Sequence, residues 1–437
     1  MNSRNPIRLA VFGAATVLAL VTSACGLGSN AASSTKVDTT AAIKGTISFQ
    51  TLQLTPTFTD FVKSMISGFE KQYPGTTVKW TDIPSAQAGQ KISADSVAGT
   101  LPDVLNVTQA LVAPLARKNL VLDMASVASD AEGTYVPAAW QSFKVGTTKV
   151  AAMPWYLNTG LLLYNKSLLQ KAGLDPANPP KTFDELKAAS LQIASKTGKA
   201  GYHPALATGL TNNLQRMGVS LVNSDQTKAE VDTPTSEAYL NELKALYDKH
   251  ALPSDSIMGQ QRSDVQAYQD GNTAFIETGP SRLKLIKQNA PGVFATTGVA
   301  PQLTGPAGTT WVLAQGLAVP TSSKNKSTAL AFAKYVTNAA NQLALSKLTV
   351  IFPSATAALS DPYFTASGTD VKSTALRLGA AQIKTSTPMP HYAAVDEEFA
   401  QVMMSAAQSV IVGQSSAKQA LSAAQTKLDG ILSRRTQ

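Results

Sequence analysis

One cysteine and three histidines are all that 437 residues carry of the strongest metal-binding and nucleophilic side chains. A lone thiol closes no internal disulfide, so everything after Cys25 folds on its core alone. His203, His250 and His391 show no HExxH spacing, and the chain has neither a GxSxG elbow nor a glycine-rich phosphate loop. The usual signatures of metalloproteases, serine hydrolases and nucleotide-binding enzymes are therefore absent. Charge is also sparse: 37 Lys and Arg against 28 Asp and Glu give +9, but charged residues are only 15% of the chain. No basic run interleaved with aromatics follows residue 30, so the excess reads as solvated surface and no nucleic-acid partner is expected. Adjacent carboxylates, Asp184-Glu185 and Glu397-Glu398, point about 100° apart on a helix and cannot flank one bond. An extracellular hydrolase is the lesser alternative, and no cofactor is expected.

No apolar run reaches the ~20 residues of a membrane-spanning helix. The run Leu9–Val21 is shorter, follows Arg4 and Arg8 and ends at Thr22-Ser23-Ala24-Cys25. This is the pattern of a secretory signal peptide over residues 1–24. The site also resembles the lipobox of bacterial lipoproteins, in which the cysteine is acylated and becomes the new N-terminus. Thr22 departs from it, standing where that family usually has Leu, Val or Ile. The resemblance implies lipidation at Cys25 and attachment to the outer face of the cytoplasmic membrane. Residues 25–42, rich in Ser, Thr, Ala and Gly, read as a flexible tether.

From Ile43 onward, strand and helix patterns alternate. GTISFQTLQ is a β-rich run, and Phe58, Phe61, Val62, Met65, Ile66 and Phe69 then recur at helical spacing until Tyr73-Pro74-Gly75. TTVKWTDI and DVLNV read as further strands with a helix over Gln90–Ala98 between them. Such alternation predicts mostly parallel sheets flanked by helices, with ligands bound beyond the strands' carboxyl ends. That rule nominates Gln53, Asn106 and Gln109. In PPKTFDELKAA, Thr182 caps a helix with Glu185 reciprocating. The tail shows two amphipathic helices, the first with Phe399, Val402, Met403 and Ala406, the second capped by Ser415 or Ser416.

Six segments, FEKQYPGTTV, LPDVL, MPWYLNTGLLLYNKSLLQKAGL, PPKTFDELKAA, YQDGNTAFIETGP and GLAVPTSSKNKSTALAFAKYV, occur in the order found in a known family. Over about Ile43 to Leu432 the chain resembles the extracellular solute-binding proteins of bacterial ABC transporters, in the sugar-binding family. The resemblance implies a two-lobed α/β fold with a hinge crossed more than once. The N-terminal lobe would take 43–154 and about 311–360, the C-terminal lobe 155–310 and about 361–437. It also implies an interlobe solute site closed by hinge motion, an ABC permease with its cytoplasmic ATPase as partners, and a monomer.

In that family the MPWYLNTG segment passes the floor of the cleft, which nominates Trp155, Tyr156 and Asn158. An aromatic face stacks on the C–H face of a sugar, while amides bond its hydroxyls. The second crossing nominates Trp311, Gln315 and Gly316. The loop Gly279-Pro280 nominates Ser281 and Arg282, with Ser281 where the family often has an aromatic. Tyr392, after PMPH, completes the set. Asn158 stands where the family often has a carboxylate. This departure, Ser281 and Arg282 keep a second ligand class open: glycerol phosphate, a glycerophosphodiester or another polyol.

Overall fold

The structure is a computed structural model; it describes residues 37, 38, 40–257, 263–305, 308–365, 367–390 and 396–434. The strands, in chain order, are β1 (Gly45–Leu52), β2 (Thr76–Ile83), β3 (Val104–Val107), β4 (Lys144–Val145), β5 (Lys149–Val150), β6 (Met153–Thr159) and β7 (Leu161–Asn165). They continue as β8 (Ala200–Tyr202), β9 (Thr273–Thr278), β10 (Thr297–Pro301), β11 (Trp311–Ala318), β12 (Phe352–Pro353) and β13 (Thr387–Pro388). They form one sheet ordered β12-β6-β11-β3-β1-β2 with β13 on β11, another ordered β10-β7-β9-β8, and the small ribbon β4-β5.

The sequence predicts mostly parallel sheets; both are mixed. β1 pairs in parallel with β2 and β3, but β11 runs antiparallel to β3 and β6. In the second sheet only β8–β9 is parallel. The reason is the path of the chain. β6 and β11 carry it in opposite senses between the sheets, and a strand that returns from another lobe enters without the helical crossover that parallel pairing needs. The first passage is Gly160, between β6 and β7. The second runs from β10 to β11, and a third follows β13.

Each sheet has its own core. The first draws on residues 47–155 and 317–351, with Phe49, Phe69 and Phe332 packed edge to face at 5.0–5.1 Å. The second draws on residues 162–303 and the tail helices, including Phe399, Met403, Leu421 and Leu428. Between them, helix Val371–Thr385 gives Ala375 to one apolar cluster and Leu376, Ala380 and Ile383 to another.

Local signals act as the sequence predicts, with one change of partner. Helix Thr59–Gln72 buries Val62, Met65, Ile66 and Phe69. Thr182 caps helix Phe183–Thr197 through Glu185 N–H, but the Glu185 carboxylate accepts from Lys181 N–H at 2.7 Å instead of from the cap residue. Ser416, not Ser415, makes the full capping box, with Gln419.

Candidate functional site

A polar row crosses the first sheet, at the carboxyl ends of β1, β2 and β3 and midway along β11 and β6. Asp82 on β2 lies beside Thr51 on β1, and Gln50 pairs with Leu105, one step short of Thr51 and Asn106. Asn106 Nδ2 donates to Gln315 Oε1 at 3.0 Å, and Gln315 sits opposite Tyr156 on β6. The apolar residues nearer the strand starts anchor these positions, so the polar ends are held by a rigid base.

Asp82 organises the turn that follows β1. Its carboxylate accepts from Thr51 and Thr55 hydroxyls at 2.6 and 2.7 Å, and from Leu54 and Thr55 N–H at 3.0 and 2.9 Å. Burial pushes this carboxyl up, but the four hydrogen bonds outweigh it and leave the group below the ordinary range. Trp80 Nε1 donates to Thr51 at 2.8 Å. Tyr156 is half-buried, and its phenol is pushed up by burial and by the charge on Asp82. Gln53 stands exposed beside this turn in the left-handed region, φ 54°, its N–H bonded to Ile83 O.

The two crossing strands extend the row. β11 opposes β6 as Gln315 to Tyr156 and Leu313 to Asn158, and Val312 pairs with Thr159. On this face Tyr156, Asn158 and Gln315 are half-buried and Leu313 is 46% exposed, an aliphatic side chain open to solvent between two amides. Trp311 shares the alternation of Leu313 and Gln315 but is 7% exposed. Gln109, at the start of helix Gln109–Arg117, presents a buried Oε1 without a hydrogen-bond partner; Asn106 Oδ1 and Gln50 Nε2 are likewise unpartnered.

Two nominated residues are placed elsewhere. Trp155 is fully buried, its ring 6.3 Å from Phe49 in the first core. Strand alternation explains this: Tyr156 and Asn158 share one face of β6, which leaves Trp155 and Leu157 on the buried face, and a register shift at Gln315/Gly316 interrupts the pairing beside them. Gly316 is also interior. A Cβ there would lie 2.5 Å from the Phe143 ring and 2.9 Å from Met153 O, so glycine permits close packing at this position. Tyr392 and Cys25 lie outside the described residues.

The second sheet contributes the loop after β9. Thr278 pairs with Leu161, which brings Gly279, Pro280 and Ser281 alongside the first passage. Ser281 is half-buried and Arg282, opening helix Arg282–Asn289, is exposed. Burial pushes the Asp264 carboxyl up, while the Val265 N–H and the positive influence of His203 and Arg282 oppose it. Beneath the loop, Arg216 binds both oxygens of Glu277 at 2.6–2.7 Å, donates to Leu303 O and lies 5.0 Å over Phe183. This buried pair braces the end of β9. Sequence reasoning missed Asp82, Leu313 and Asp264. Strand alternation in WVLAQG could have exposed Leu313; the two aspartates carry no local signal. Among the described residues no three His, Cys, Asp or Glu are grouped to hold a metal, and no helix is long and apolar enough to cross a membrane.

Two lobes with a polar row across the first sheet beside a multiply crossed hinge define a binding protein of the two-lobed α/β class. The chain belongs to the bacterial extracellular solute-binding proteins, whose family model matches residues 55–343. A periplasmic-binding protein from Synechococcus sp. MITs9220, whose name proposes an oligosaccharide ligand, superposes with a TM-score of 0.80 at 30% identity, covering 89% of this chain and 99% of that one. The GacH receptor of Streptomyces glaucescens, solved unliganded and with acarbose, shares the fold with a TM-score of 0.71 at 23% identity over 88% of this chain and 98% of that one. A binding protein of Brucella abortus is 25% identical over 61% of this chain and 66% of its own length. The sn-glycerol-3-phosphate-binding periplasmic protein of Pectobacterium atrosepticum is 24% identical over 52% of this chain. The chain thus spans about two thirds and about half of these two relatives' lengths, 66% and 54%.

Proposed function

We propose that this protein is the receptor of an ABC importer: it captures a sugar or oligosaccharide between its lobes by hinge closure and hands it, unaltered, to a membrane permease driven by a cytoplasmic ATPase. The observation that carries this reading is the half-buried set Asp82, Gln315 and Tyr156, backed by the fully buried Thr51 and Asn106 and continued on the hinge strands by Asn158 and Leu313. Amides and a carboxylate match a rim of hydroxyls, and Tyr156 with Leu313 offers apolar area to C–H faces. Contacts made by both lobes exist only in the closed form, so ligand shifts the population by its differential affinity. Lipidation at Cys25 would hold the receptor at the outer face of the membrane. No cofactor or covalent step enters, and the protein acts as a monomer.

A second reading takes the ligand as glycerol phosphate or a related polyol phosphate. Exposed Arg282 beside Ser281 favours it, as does the likeness to the sn-glycerol-3-phosphate-binding protein. A thermal-shift panel of sugars, oligosaccharides, polyols and their phosphates decides between them. A ligand at 100 times its Kd stabilises the folded form by about 2.7 kcal/mol. The sugar reading expects an oligosaccharide to give the largest shift and Asn158→Ala to abolish it. A response confined to phosphates and lost in Arg282→Ala selects the second reading. Recovery of chemically altered ligand overturns both.

A further inference from the structure

A second cavity, of about 630 Å³, opens at the far end of β7 from the Gly160 passage. Five strand residues separate the two, about 16 Å along β7. One wall comes from helix Arg282–Asn289 and the segment 294–299, the other from residues 348–350 and the start of helix Val371–Thr385. None of the residues described at the polar row lines it.

Its chemistry is one-sided. Four lysines, Lys166, Lys284, Lys287 and Lys372, line it against a single carboxylate, Asp370. That carboxylate is committed to its own helix, accepting from Lys372 N–H, Ser373 N–H and the Ser373 hydroxyl. Among the described residues no carboxylate forms an ion pair with any of the four ammonium groups. Two of them lie over rings instead, Lys287 Nζ 5.7 Å from the Phe294 centroid and Lys372 Nζ 5.6 Å from that of Tyr363. The rest of the lining mixes apolar side chains, with Phe294, Val299 and Val350 on the walls and Leu348, 53% exposed, at the rim, with Tyr164 and the threonines Thr297, Thr349, Thr369 and Thr374. A cavity of 300–1,000 Å³ with apolar walls and a few convergent charges has the dimensions of a small-molecule site, not of a flat docking face.

We propose that this pocket binds a small organic anion, a phosphate monoester or carboxylate on an aromatic or aliphatic body, independently of the solute held between the lobes. The lysines supply charge-assisted hydrogen bonds to the anionic head, and Phe294, Leu348 and Val350 cover the body. The probe is phenyl phosphate, titrated calorimetrically into the protein, with inorganic phosphate and phenol as the half-molecules. Saturable binding is expected for phenyl phosphate, weaker for either half, and weakened as NaCl rises. Lys284→Gln/Lys287→Gln should reduce affinity at least about tenfold, while Asn158→Ala leaves it unchanged. Amide shifts in wild-type protein provide a second readout that needs no variant: they should cluster at residues 284–299 and 369–374. No saturable binding, equal binding of phenol, or binding lost in Asn158→Ala but kept in the lysine variant each overturns the proposal. Because the interlobe solute is absent from the titration, failure here leaves the sugar reading untouched.

Discussion

Asp82 shows how one carboxylate sets a loop. Four donors from Thr51, Leu54 and Thr55 converge on it, so the turn after β1 depends on the group remaining ionised. Its folded pKa is depressed, so its stabilisation is complete above the unfolded value and disappears as pH falls through the folded one. Asp82→Asn should therefore cost about 1 kcal/mol at neutral pH, the low end for a part-exposed acceptor. In urea melts at stepped pH the gap to wild type should close below about pH 4. Trp155 poses the opposite case. Its indole N–H has no partner and its ring fills the first core, so Trp155→Phe loses no hydrogen bond, whereas Trp155→Ala leaves a cavity worth about 3–5 kcal/mol. Thermal unfolding checks the order, and the ligand-induced shift should survive Trp155→Phe. A loss of that shift with unchanged stability would return Trp155 to the site.

At the scale of elements, the joint between the lobes is pinned by one side chain. Gln382, on helix Val371–Thr385, donates to Thr159 Oγ1 and to Gly160 O and accepts from Gln302 N–H at 3.0 Å. It thus ties the first passage, the segment after β10 and its own helix at one buried point. Gln382→Leu should strand two backbone groups and destabilise by about 2–4 kcal/mol. Hydrogen exchange should accelerate at Leu161 and Gln302 while the β1–β3 amides keep their protection. Uniform acceleration would show a global loss and no local pin. Burying such a polar joint fixes where the chain bends, because each partner is satisfied in only one arrangement.

For the whole molecule the expectations concern closure and attachment. If ligand bridges the lobes, small-angle scattering should show a smaller radius of gyration at saturation, and Asn158→Ala should show none of that contraction at the same concentration. Cys25→Ser should release the protein from the membrane fraction into the medium, since one acyl-bearing N-terminus is the only anchor proposed. Protein that stays membrane-bound would point to a different attachment.

Much of the architecture was legible in the chain itself. Hydrophobic spacing marked helix Thr59–Gln72, turn residues bounded the early strands, and Ser415 or Ser416 announced the last helix, because these signals act over a few residues. The strand-end rule nominates Asn106, whereas only the family resemblance nominates Gln315, since Gln315 lies within an apolar strand; the structure brings the two side chains into hydrogen-bond contact. The tertiary structure alone decided the rest. Pairing between strands more than 150 positions apart decided which face of β6 meets the core, so Trp155 packs inward while Tyr156 takes the other face. Antiparallel entry of the crossing strands, the meeting of Asp82 with Thr51 and Thr55, and the convergence of four lysines on one pocket likewise depend on long-range packing, where neighbours in space are strangers in sequence.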